Sequence, residues 1–96
     1  MTKNEQISNV MGWEYFPKSG PFPFHNGDQW FDLTPWEVVK EMQAKMVADG
    51  WSIDILNNQF GFEASALRGG EFISTEEITT EPAAIVELFC KVYGIK

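Results

Sequence analysis

Residues 51–75, "WSIDILNNQFGFEASALRGGEFIST", turn the chain from a helical rhythm to a period of two. Trp51, Ile53 and Ile55 alternate with Ser52 and Asp54. Phe60, Phe62, Ala64 and Ala66 alternate with Gln59, Gly61, Glu63 and Ser65. Such alternation sends successive side chains to opposite faces of a strand. Asn57-Asn58 reads as a tight turn, because asparagine tolerates the left-handed backbone a hairpin needs. Arg68-Gly69-Gly70 reads as a second turn. Beyond it Phe72 and Ser74 stand against Glu71, Ile73 and Thr75 as a weaker third strand. Gly61, inside a strand, marks a bulge or a close backbone approach. The stretch predicts a three-stranded antiparallel meander with one apolar and one largely polar face.

Upstream, "DLTPWEVVKEMQAKMVADGW" predicts an amphipathic helix over about residues 35–49. Thr34 is the expected N-cap, with Pro35 at the first helical position and Glu37 completing a capping box. Gly50 is the expected left-handed stop. Trp36, Val39, Met42, Met46 and Val47 gather on one side, with Val38 at its edge. Glu37, Lys40, Glu41 and Lys45 take the other side. Downstream, "TTEPAAIVELFCKVYGIK" predicts a helix over about 81–93, capped by Thr80, with Pro82 in its first turn and Gly94 after its end. Ile85, Leu88, Phe89 and Val92 form its apolar face. Val86, Cys90 and Tyr93 widen that face and leave Glu87, Lys91 and Ala84 for water. So broad a face exceeds what one sheet covers, and either the aromatic segment or another chain must cover its flank. At the front, Gln6, Ile7, Val10 and Met11 suit a short helix ended by Gly12.

The fold expected is therefore α+β, in the order α-β-β-β-α. Both main helices lie on the apolar face of the meander, with a short N-terminal helical segment ahead of them. The 96 residues make a single domain, divided into an N-terminal segment with an aromatic loop (1–33) and a helix-meander-helix unit (34–96). A chain of this size buries roughly 60 to 70 % of its surface and needs most of its large apolar side chains for one core.

The loop is residues 11–31, "MGWEYFPKSGPFPFHNGDQWF". It holds half of the chain's fourteen aromatic residues, punctuated by three prolines and three glycines. No helical or strand period runs through it. Seven exposed rings would be an aggregation hazard, so Trp13, Tyr15, Trp30 and Phe31 are expected in the core. Phe22 and Phe24, on either side of Pro23, are expected at the exposed loop tip with His25, the only histidine.

Fourteen acids against seven bases give a net charge of −7 and a pI near 4.5. That charge repels phosphate backbones and anionic lipid and suits a basic partner. The helix-meander-helix order is also that of double-stranded-RNA-binding domains, which place bases at the start of the final helix. Here that place holds Glu76, Glu77 and Glu81, so direct nucleic-acid binding is not expected. One cysteine allows no internal disulfide or cysteine-based zinc site and fits a reducing, cytoplasmic setting. No apolar run is long enough for a signal peptide or a membrane span.

The candidate chemistry is sparse. His25, Asp28 and Asp32 lie within eight residues and offer one imidazole and two carboxylates to a metal. Their spacing matches no rigid ligand motif, and Asn26-Gly27-Asp28 reads more simply as a turn. Cys90 lies mid-helix, far in sequence from the histidine, and reads as a packed thiol rather than a nucleophile. Gly69-Gly70 precedes a strand rather than a helix, so a turn explains it better than a phosphate cradle. No catalytic, cofactor or metal residue is assigned. The interface expected for a protein partner comprises Phe22, Phe24 and His25 on the aromatic loop and Glu76, Glu77 and Glu81 on the acidic connection.

Three motifs carry a resemblance. They are Met11-Gly12-Trp13, the run Trp36-Glu37-Val38-Val39-Lys40-Glu41-Met42, and Pro82-Ala83-Ala84-Ile85. Together, over roughly residues 8–93, the chain resembles the phage ABA sandwich domain family of small phage and prophage proteins. The short N-terminal helix and the "GPFPF" run depart from that pattern, and the family's name implies a third layer where the alternation gives two. The resemblance implies a fold and an origin and brings no catalytic residue with it. The function expected is that of a non-enzymatic phage or prophage accessory protein in the host cytoplasm. It would bind a host or phage protein, such as a host or defence enzyme, through an acidic and aromatic surface. The alternatives are a small-ligand or metal-binding domain centred on His25, and a homodimer formed through Val86, Cys90 and Tyr93 of the last helix.

Overall fold

The computed structural model describes residues 1–96. In chain order the elements are α1 (Lys3–Met11), β1 (Glu14–Tyr15), β2 (Phe24–Asn26), β3 (Gln29–Phe31), α2 (Trp36–Ala48), β4 (Ser52–Asn58), β5 (Gly61–Arg68), β6 (Glu71–Ser74) and α3 (Glu81–Val92). The expected meander is present as β4-β5-β6, and the α+β class holds. The aromatic segment, however, is not a loop. It folds into a second three-stranded antiparallel sheet, β1-β2-β3. A backbone bond from the Phe16 N–H to the Pro23 carbonyl, 2.7 Å, draws the arms together. A two-residue loop, Gly27-Asp28, closes the second hairpin, with Gly27 at φ +63°.

The β4–β5 turn falls at Gln59-Phe60, two residues beyond Asn57-Asn58. Asn58 still directs it, because its side-chain oxygen accepts the Phe60 N–H at 2.8 Å. The register is set by Gly61, which has φ +138° and lies against Ile78. A Cβ added to Gly61 would stand 2.5 Å from the Ile78 carbonyl oxygen. Phe62 and Ile78 exchange backbone hydrogen bonds of 2.7 and 2.8 Å beside it. The close approach expected of Gly61 is thus made to the connection leading into α3.

Register also decides β6. Ala66 faces Ile73, and Leu67 faces Phe72. Ile73 consequently joins Ala66 on the helix-covered side, whereas Phe72 turns outward with 65 % of its surface exposed. This reverses the apolar assignment expected for the third strand. Thr75, buried at the end of β6, accepts the Ala64 N–H through its hydroxyl at 3.0 Å and donates its own N–H to the Ala64 carbonyl at 2.9 Å.

The cap of α3 is the one the sequence marks, whereas α1 begins earlier than expected, at Lys3, with Thr2 as its cap. Thr2 accepts the Glu5 N–H, and Thr80 accepts the Ala83 N–H. Gly12, at φ +74°, stops α1 as expected. The start of α2 differs. Pro35 occupies the N-cap and supplies no side-chain bond. Thr34 is held instead by Asp32, whose carboxylate oxygen accepts both the Thr34 N–H (3.0 Å) and its hydroxyl (2.7 Å). A carboxylate two residues upstream competes for the threonine before the helix can use it.

One core runs through the whole chain. Its fully buried members include Ile7 of α1, Phe24 of β2, Val39, Met42 and Met46 of α2, and Ile85, Leu88 and Phe89 of α3. Ala64 and Ala66 are buried beneath the helices, and their small side chains let α3 lie close on β5. α2 packs beside α3, which is why the broad α3 face finds cover within the chain. Ala84, expected in water, is buried, and so is Cys90. Trp36 and Val47, expected on the apolar face of α2, are exposed. The opposite face of the larger sheet is open, with Leu56, Leu67 and Phe72 outward. No helix is long and apolar enough to cross a membrane.

Candidate functional site

The small sheet separates its aromatic residues by pleat. One cross-strand row is Tyr15–Phe24–Phe31, and the next is Glu14–His25–Trp30. Neighbouring rows point to opposite faces. The first row faces the core. Phe24 and Phe31 stack with their ring centres 6.0 Å apart, and Trp13 meets both edge-on at 5.9 and 4.8 Å. The second row faces outward. Phe24 therefore leaves the expected interface, since it is 1 % exposed and its neighbour in sequence, His25, takes the outer side. Trp30, expected in the core, is the ring that comes out, 49 % exposed. Phe22 is exposed as expected.

The outer row is organised around the imidazole. His25 Nδ1 lies 3.0 Å from Glu14 Oε1, a hydrogen bond in which the ring N–H donates to the carboxylate. The other carboxylate oxygen has no partner within the chain, and the Glu14 side chain is mostly in solvent. The His25 ring lies 4.5 Å from the Trp30 ring, and Phe16 adds a third ring 5.4 Å from Trp30 and 6.5 Å from His25. The result is a surface platform of two large rings and an imidazole, with a carboxylate fixed at its border. Aromatic surface of this kind carries most of the energy in protein interfaces.

The acidic half of the expected interface lies elsewhere. Glu76 and Glu77 are exposed on the connection from β6 to α3. Glu81 is half-buried in the first turn of α3, where a negative charge meets the positive end of the helix dipole. No hydrogen bond or ion pair joins these acids to the aromatic row. Between the segment following β3 and the first turn of α3 runs a shallow groove of about 370 Å³, lined by Leu33, Thr34, Thr80, Pro82 and Ala83. It contains no charged side chain.

The other candidates find structural roles. His25, Asp28 and Asp32 are not assembled, and no group of three histidine, cysteine or acidic side chains is placed to hold a metal ion. His25 holds Glu14, Asp28 sits in the hairpin loop, and Asp32 holds Thr34. Burial pushes the Cys90 thiol above its ordinary pKa, the opposite of what an activated nucleophile requires. Val86 and Tyr93 pack partly against the core.

A second polar cluster ties the ends of α2 and α3 to the β5–β6 turn. The Tyr93 hydroxyl donates a short hydrogen bond to Asp49, which also pairs with Lys45 at 3.6 Å. The Tyr93 bond, with help from Lys45, holds the Asp49 carboxyl below its usual range, while burial and Asp49 push the Tyr93 phenol up. Arg68 lies over the Trp51 ring at 4.4 Å, pairs with Glu71 at 3.2 Å, and donates to the Asp49 carbonyl.

Glu14 and Phe16 were not singled out by sequence reasoning, and Trp30 was assigned to the core. The signal for them was present: a two-residue Gly-Asp loop flanked by aromatic residues is a hairpin signature, even when the strands are very short. No protein-family model, curated protein or solved structure matches the chain. The site must be read from its own geometry.

Proposed function

We propose that this chain is a non-enzymatic protein-binding module, a phage or prophage accessory protein that docks on a host or phage protein in the host cytoplasm. The observation that carries this reading is the outer row of the small sheet. A protein of this size has every reason to bury Trp30 and Phe16, yet both stand in solvent beside His25 and Glu14. Their backbone is held by cross-strand pairing and by a buried aromatic layer beneath, so the platform is set before any partner arrives. Preorganisation of that kind lowers the entropy lost on docking. The phage origin rests on the resemblance of three motifs to the phage ABA sandwich domains, and a modulator of a host or defence enzyme is a role that suits an acidic module.

The test is an affinity capture from host-cell lysate with tagged wild-type protein and a Trp30→Ser variant, washed at low and high salt. A protein retained by the wild type at low salt, and lost with Trp30→Ser, is the expected result. Equal retention by both baits, or nothing retained at either salt, would overturn the reading. Light scattering on the purified chain reports the remaining occupant, a second copy of itself.

A further inference from the structure

The chain's tryptophans fall into a pattern. Trp13 is enclosed between Phe24 and Phe31. Trp36 carries Lys40 over its ring at 5.9 Å. Trp51 carries Arg68 at 4.4 Å, and that guanidinium is held in turn by the Glu71 carboxylate at 3.2 Å. Trp30 is the one exposed indole that no cation of the chain covers. Unlike Trp51, which is buried, Trp30 is 49 % exposed, and on the same outer row Glu14 is held by His25 with one carboxylate oxygen unengaged.

We infer that the outer face of the small sheet is a docking site for an arginine side chain on a basic segment of a partner protein. The guanidinium stacks on Trp30 beside Phe16 and donates from its N–H groups to the Glu14 carboxylate. This deepens the protein-binding reading and rests on it. Charge complementarity supports the choice of occupant. The chain carries a net charge of −7, and residues 12–32 hold Glu14, Asp28 and Asp32 against the single base Lys18. Arginine suits the site better than lysine, since a planar guanidinium both stacks on an indole and bonds a carboxylate through a fixed fork. The chain cannot supply that group itself, because Arg68 is its only arginine and is already engaged. His25 keeps the carboxylate in place through the bond from its Nδ1.

The test uses the full chain and three fluorescein-labelled hexapeptides of alternating glycine with arginine, lysine or glutamate. Binding is read by anisotropy, and the Trp30 indole N–H resonance is followed by NMR. The arginine peptide should bind about fivefold or more tighter than the lysine peptide, shift the Trp30 resonance and leave Trp51 unmoved. Trp30→Ser and Glu14→Gln should each weaken it by about five- to tenfold. Glu14→Gln keeps shape and removes charge, so it remains informative if Trp30→Ser disturbs the hairpin. Equal affinity for arginine and lysine peptides, or affinity unchanged in both variants, would reduce the effect to diffuse charge attraction and overturn the inference. So would a Trp30 resonance that responds to neutral oligosaccharides and not to the arginine peptide. If the lysate partner is lost with Trp30→Ser while the arginine peptide fails to bind, the docking face stands and the arginine assignment falls.

Discussion

The two sheets of this protein are built from opposite materials. The larger, β4-β5-β6, has strands of four to eight residues and buries alanines at the centre of its inner face, with Ile53, Ile55, Phe62 and Ile73 half-buried around them. The smaller, β1-β2-β3, has strands of two or three residues and presents phenylalanines. A long ladder holds its shape through many backbone bonds and can spend its inner face on small residues, so that α3 sits close. A short ladder has few bonds, and a pair of strands this short is marginal alone. Its cohesion comes from ring area, and Phe24, Phe31 and Trp13 supply it. The difference teaches where each sheet is vulnerable. The larger depends on register, the smaller on its buried rings.

The sharpest way to break this contrast is Phe24→Ala. Loss of a fully buried phenylalanine should cost about 3 to 5 kcal/mol by urea denaturation, with a single cooperative transition, because Phe24 shares one core with α1, α2 and α3. A small loss, with the rest of the protein unfolding as before, would make the small sheet an appendage. Next comes Gly61→Ala in the larger sheet. Its Cβ would collide with the Ile78 carbonyl, so a loss of about 2 to 3 kcal/mol is expected. Gly27→Ala in the small sheet meets open space and should cost only about 1 kcal/mol, from its backbone conformation.

A smaller effect should appear in the pH dependence. Asp49 has a depressed pKa in the folded chain, so its contribution is present above the unfolded value and is lost as pH falls below it. The Tyr93 phenol is raised, so its contribution is present below its unfolded pKa and is lost as pH rises above that value. Urea midpoints for wild type should therefore decline at both extremes, and Tyr93→Phe should flatten both limbs. An unchanged profile would detach this cluster from stability. The smallest effect on stability belongs to Trp30→Ser, within about 0.5 kcal/mol of wild type, since an exposed ring contributes little to the fold. Set beside Phe24→Ala, it separates the two rows of one sheet into a row that carries stability and a row that does not.

Much of the larger half was legible. The α3 cap, the period-two stretch and the close approach at Gly61 all follow from residue types whose preferences act within a few positions. The faults in the larger sheet are errors of register. A two-residue shift of the β4–β5 turn and the inverted β6 both depend on contacts with Ile78 and Ala66 that no local window contains. The smaller half was legible only as composition. Alternation needs four or more residues to show itself, and strands of two or three carry no period. That is why Phe24 and Trp30 exchanged places between expectation and structure, and why Glu14, the group that fixes His25, went unnoticed. Thr34 was misread for a related reason: the cap motif is complete, but Asp32 reaches it first.

Every strand of both sheets pairs with its neighbour in the chain. No crossover has to be threaded, and no ladder waits for a distant segment to arrive. The search for the native state is therefore short, because each hairpin closes a small loop at low entropic cost. Hairpins close on the scale of roughly 1 to 10 μs, and the small sheet persists once its rings reach the shared core. The slower event is then the arrival of α3, which must seat on β5 and bring Ile78 against Phe62. Gly61, with no Cβ to meet the Ile78 carbonyl, is the residue that leaves room for that contact.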